Sequence, residues 1–216
     1  MHALLFGQPR IPPTSAFDWL PISALVLLVA GVLTELVRPG PVRRVVTMVV
    51  IAALLVGAGW LSARNLIANS WTAGRVLAEL GGFVCLGTGF ALAVTRLGSR
   101  PGPIALACVT VALGVASQAS ILFFFSLKLG QFVGIFAAFA GGAFAASLVL
   151  RSVALPRSLL LAAGAATAVA VFQALHFGDA ARPHLTALGV ALVPWVLLAG
   201  LTGFRHWRES RAARRG

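Results

Sequence analysis

Seven apolar runs follow one another along the chain, separated by short polar or Pro/Gly-rich junctions. They are Asp18–Val37, Val45–Ala63, Thr72–Thr95, Ile104–Phe125, Gln131–Leu150, Ser158–Leu175 and Leu185–Phe204. Each is solidly hydrophobic, without the two-residue alternation of a barrel strand, and each has the roughly 20 residues that a helix needs to cross about 30 Å of hydrocarbon. Lipid offers no hydrogen-bond partner to a backbone, so helices are the only spanning elements such runs can form. The pattern predicts an all-α, polytopic integral membrane protein with seven transmembrane helices.

The junctions fit that reading. Asp18 is placed to cap the first helix, with Pro21 in its first turn, where proline is tolerated. RPGPVRR and RLGSRPGP are tight turns, SLKLG is a minimal one, and RNLIANSWTAGR is the longest internal loop. Pro194, midway along the last run, predicts a bend there. Residues 1–17, with Pro9, Pro12 and Pro13, form a leader too short to be a domain. Residues 18–204 are the membrane domain, and residues 205–216 are a basic tail too polar to span.

Composition agrees: 59% of the 216 residues are hydrophobic, 10% are charged, and the mean hydropathy is +0.96. The net charge of +12 is carried by arginines at the ends of runs and in the tail. That placement orients a membrane chain; it does not build a nucleic-acid face. With the tail in the cytoplasm, Arg38, Arg43, Arg44, Arg96, Arg100, Arg151, Arg157, Arg205, Arg208, Arg211, Arg214 and Arg215 lie inside, and Arg10, Arg64, Arg75, Lys128 and Arg182 lie outside. The positive-inside rule therefore predicts an extracytoplasmic amino terminus and a cytoplasmic carboxy terminus. Such a chain would sit as a multi-pass protein in an inner (plasma) membrane of bacterial type.

Arg38, Arg96, Arg151 and Arg205 recur at spacings of 58, 55 and 54 residues, and Trp60, Gln118 and Gln173 at 58 and 55. Three helical hairpins plus one helix would give that period, as would any array of short membrane hairpins. Ala137, Gly141 and Ala145, four residues apart, form a small-residue strip that a partner protein or a second copy could approach closely.

Polar groups at membrane depth are costly, so each one needs a reason. Glu79 lies seven residues into its run, about 10 Å deep at 1.5 Å per residue, one turn after Arg75. Gln118 lies about 12 Å from the extracytoplasmic end of its own run by the same rise. Gln173 and His176 share a helical face, as do Lys128 and Gln131. The stretch Phe172–His184 adds Asp179, Arg182 and His184 within a few residues. Apart from Glu35, beside Arg38, these groups gather toward one side of the membrane. The expectation is an outward-opening polar site between helices three, four, five and six, lined by Glu79, Gln118, Gln131, Gln173 and His176. His176 is the member able to change charge near neutral pH.

The chemistry that is missing narrows the function. The sole lysine, Lys128, lies in a turn, so a retinal protein is excluded. No HExxH, GxSxG or P-loop motif occurs. Phe172 and His176 match the FxxxH element of CAAX-type intramembrane proteases, but the paired-glutamate element is absent. Cys85 and Cys108 fall at different depths, which argues against a disulfide or a zinc site. Met1-His2, QALHFGD and LTALG resemble the membrane component of cobalt and nickel uptake systems, in which the amino terminus and a second-residue histidine hold the metal. The Gly-His element of that pattern would fall on Gly74-Arg75, and an arginine is no metal ligand, so no metal site is assigned. The expectations that remain are a non-enzymatic, transporter-like or solute-binding component, or an accessory subunit of a larger membrane complex, with an intramembrane enzyme or assembly factor as a third class.

Overall fold

The computed structural model describes residues 19–100, 102–150, 153–177 and 183–213. Among them all regular structure is helical, in seven helices: α1 (Trp19–Glu35), α2 (Pro41–Asn69), α3 (Ala73–Gly98), α4 (Pro103–Leu122), α5 (Leu127–Leu150), α6 (Arg157–Phe177) and α7 (Pro183–Ala213). Six of them, α2 to α7, are long and apolar enough to cross a membrane, while α1 is a shorter apolar helix of 17 residues. Numerous large apolar side chains, such as Leu25, Val49 and Val149, are exposed. On a soluble protein that surface would drive aggregation; in a bilayer it meets acyl chains. The protein is a multi-pass membrane protein.

Two helices run further than the hydrophobic pattern predicts. The RNLIANSWTAGR stretch is helical as far as Asn69, and α2 ends where the Ser70 and Trp71 amides both turn back to the Leu66 carbonyl. A helix needs apolar residues only where it meets lipid, so polar turns extend it past the membrane at no cost. For the same reason α7 continues through the basic stretch to Ala213, and Pro194 does not end it. The fourth helix is shorter than expected. It stops at Leu122, and Phe123–Phe125 carry the chain into α5, with Phe125 at φ 53°. The predicted cap Asp18 lies outside the described residues, as do the leader and the loop residues Asp179 and Arg182.

The centre of the bundle is α6. Sixteen of its 21 residues are buried, and most of them are alanine, glycine or valine. Small side chains let neighbouring helices come close. A Cβ placed on Gly164 would meet the Ala91 Cα at 2.7 Å, one on Gly87 would meet the Ala168 Cβ at 3.1 Å, and one on Gly31 would meet the Ser158 carbonyl oxygen at 3.0 Å. In this way α6 is seated against α3 and α1. It packs far less on α7, its neighbour in sequence, while α4 and α5 form the closest pair in the molecule. The Ser117 hydroxyl fastens that pair by donating to the Gly130 carbonyl at 2.7 Å. Gly141 lies against Thr110 of α4, where an added Cβ would meet the threonine Cγ2 at 3.5 Å, so this part of the small-residue strip is used within the chain.

Candidate functional site

The site is built on α3. The Thr72 hydroxyl caps that helix by accepting from the Arg75 amide at 3.4 Å, which fixes where its first turn begins. Glu79, Gly82, Phe83, Leu86, Gly87 and Phe90 recur at helical spacing and form one wall of a cleft of about 300 Å³. Thr167, Val171 and Phe172 of α6 and His184, Leu188 and Ala191 of α7 supply the other walls. Phe83 and Phe172 stack with ring centroids 4.3 Å apart. From Glu79 to Phe90 the α3 wall runs about 16 Å at the helical rise. Apart from Glu79, His184 and Thr167, the lining is apolar.

Glu79 sits at the mouth with its side chain 14% exposed. Three basic groups surround it. His184 Nε2 is 3.3 Å from both carboxylate oxygens, His176 Nε2 is 3.7 Å from Oε2, and Arg75 Nε is 3.8 Å from Oε1. Only the His184 contact falls within hydrogen-bonding distance. A carboxylate has about four lone-pair positions, so much of its accepting capacity is open to a ligand. Arg75 is held to the side, its guanidinium 5.5 Å from the centroid of the Trp71 ring. His176 is packed edge-on between Trp71 and Phe172, at centroid distances of 4.9 and 4.5 Å. Its Nε2 is buried without a hydrogen bond. His184, by contrast, is 66% exposed and can be displaced from the carboxylate by an incoming group.

The structure brings together two of the five residues expected to form the site, Glu79 and His176. Gln173 is fully buried one turn before His176, but its amide donates to the Ser62 hydroxyl of α2 at 3.0 Å. It ties α6 to α2 and does not line the cleft. Gln118 and Gln131 are exposed on α4 and α5, and neither lines the cleft. The walls are α3, α6 and α7, not α3 to α6, because α4 and α5 pack on each other and α7 packs on α3. His184, left out of the expected site, is the basic group closest to Glu79. Trp71, Ser62 and Thr167 were not anticipated. The α3 stripe of Glu79, Phe83 and Phe90 at helical spacing was the available signal for the wall.

Thr167 belongs to the α6 wall, with its hydroxyl covered. It is fully buried, and its hydroxyl has no hydrogen-bond partner. It lies nine residues before His176 on α6, about 14 Å further in by the helical rise. No three His, Cys, Asp or Glu side chains among the described residues are arranged to hold a metal ion, and Met1 and His2 lie outside those residues. Family models, characterised proteins and solved structures give no match to this chain.

Proposed function

We propose that this protein is a solute-binding or transporter-like membrane component whose ligand is an amphipathic cation held in the α3–α6–α7 cleft. The carrying observation is a carboxylate whose accepting capacity is not filled by the basic groups beside it, at the mouth of a slot whose body is apolar. A hydrated ion or a sugar would lose its water there without replacement partners. A molecule with an aliphatic or aromatic body would bury that body against Phe83, Phe90 and Phe172. Its positive end would then meet Glu79, where a charge-assisted hydrogen bond is stronger than a neutral one. The arginine distribution supports a mouth that opens on the extracytoplasmic side of an inner membrane, and the reading assigns no catalysis.

Binding of a lipophilic primary ammonium such as 4-phenylbutylammonium to the purified protein in detergent tests this reading. Glu79→Gln is expected to weaken binding about tenfold or more, the scale of one lost charged hydrogen bond. Gly82→Leu fills the cleft from a position where an added Cβ meets nothing within 4 Å, so it should block binding while the melting temperature holds. Equal affinity in wild type and both variants would overturn the proposal. Purification of the chain in fixed stoichiometry with another membrane protein, with no cation binding, would favour the accessory-subunit reading.

A further inference from the structure

The opposite end of the bundle holds a second concavity, of about 320 Å³, where α1 and α3 end and α2 and α6 begin. Arg43 and Arg44 of α2, Arg96 of α3 and Arg157 of α6 line it, with Glu35 of α1 as its one carboxylate. None of the four arginines pairs with a carboxylate among the described residues. Glu35 is engaged elsewhere: its Oε1 accepts the Ser158 amide at 2.7 Å and closes the first turn of α6. The threonine hydroxyls of the same region are also turned inward. Thr34 donates to the Gly31 carbonyl, Thr47 to that of Arg43 and Thr95 to that of Ala91. The donors left for a ligand are the guanidinium groups and the Ser158 hydroxyl.

Four positive charges brought by three helices to one concavity repel each other. An anion bound among them offsets that repulsion. Guanidinium forks match the oxygens of a phosphate in pairs. The volume falls at the lower end of the range of small-molecule sites, about 300–1,000 Å³, which exceeds the needs of a lone ion. The concavity also lies at the ends of the spanning helices, level with lipid headgroups, where basic pockets between helices take acidic lipids. We infer that this end of the bundle is a binding site for an anionic phosphate group, supplied by the headgroup of an acidic phospholipid. Free inorganic phosphate is the other source of the same chemistry. The inference is independent of the cleft at Glu79.

Native mass spectrometry and thermal-shift measurements on the full chain in detergent test it, with phosphatidylglycerol, phosphatidylcholine of the same acyl chains, and inorganic phosphate as probes. The wild type is expected to bind phosphatidylglycerol at least tenfold more tightly than phosphatidylcholine. Arg43→Gln combined with Arg157→Gln is expected to abolish that preference. Stabilisation by millimolar inorganic phosphate, lost in the same double variant, would support the site with free phosphate as its source. Should the double variant fail to fold, protection of Arg43 and Arg157 of the wild type from an arginine-directed reagent by phosphatidylglycerol, but not phosphatidylcholine, carries the test. No preference between the lipids together with no effect of phosphate, or a preference that survives the double variant, or unprotected arginines, overturns the inference.

Discussion

At the scale of single residues, the buried polar groups divide into those that hold helices together and those that face the cleft. Gln173 belongs to the first kind. Its amide reaches the Ser62 hydroxyl across the α2–α6 contact, and Ser62→Ala would remove that acceptor. The expected cost is about 0.5–2 kcal/mol, since hydrogen bonds between membrane helices are modest and an unmet buried donor is penalised. Denaturant titration in mixed micelles measures it, and binding at the cleft should be unchanged. Glu79 belongs to the second kind, so its replacement should change affinity more than stability. Both residues are polar positions in apolar runs and were equally visible in the sequence. Which of them faces a neighbour helix and which faces open space depends on helix rotation, and a uniformly apolar run carries little record of that.

At the scale of elements, α6 sets the geometry of its neighbours. Its small residues let the α3 backbone approach at Ala91, opposite Gly164. Gly164→Val should force the two helices apart and destabilise the fold by about 1–3 kcal/mol, the usual range for overpacking. Gly142→Ala on α5 is the control: a Cβ there meets nothing within 4 Å, and the melting temperature should stay within error or rise slightly. The same separation would also widen the α3–α6 wall, so Gly164→Val should reduce cation binding as well. The small-residue strip that stood out in the sequence was Ala137, Gly141 and Ala145 on α5, not the glycines and alanines of α6. The particular partners of such residues cannot be read from sequence, because small side chains are compatible with several neighbours.

At the scale of the whole molecule, the two ends of the bundle differ in chemistry. One end holds the Glu79 cluster, and the other holds arginines from α2, α3 and α6. This polarity gives a topological prediction. Single cysteines placed in the tail at Ser210 and beside the cleft at Ala73, in a Cys85→Ser/Cys108→Ser background, should react with a membrane-impermeant thiol reagent on opposite sides of the membrane. In intact cells Ala73→Cys should label and Ser210→Cys should not; the reverse pattern would place the cleft in the cytoplasm. The basic side chains that support this orientation act through charge and position, so they can be counted without a structure.

The sequence alone determined that the chain forms seven apolar helices of membrane type and which few residues carry polar atoms into that environment; six of the seven prove long enough to span. Those properties follow from one-dimensional quantities: the length of an apolar run and the cost of stripping water from a polar group. Tertiary structure decided the partners. It moved Gln118 and Gln131 away from the cleft, brought His184 to Glu79 across 105 residues, and replaced α4 and α5 with α7 as the third wall. Lipid is as apolar as the helix surfaces, so hydrophobicity cannot specify which helix faces which. Close fitting of small side chains does, and that exists only once the helices are packed.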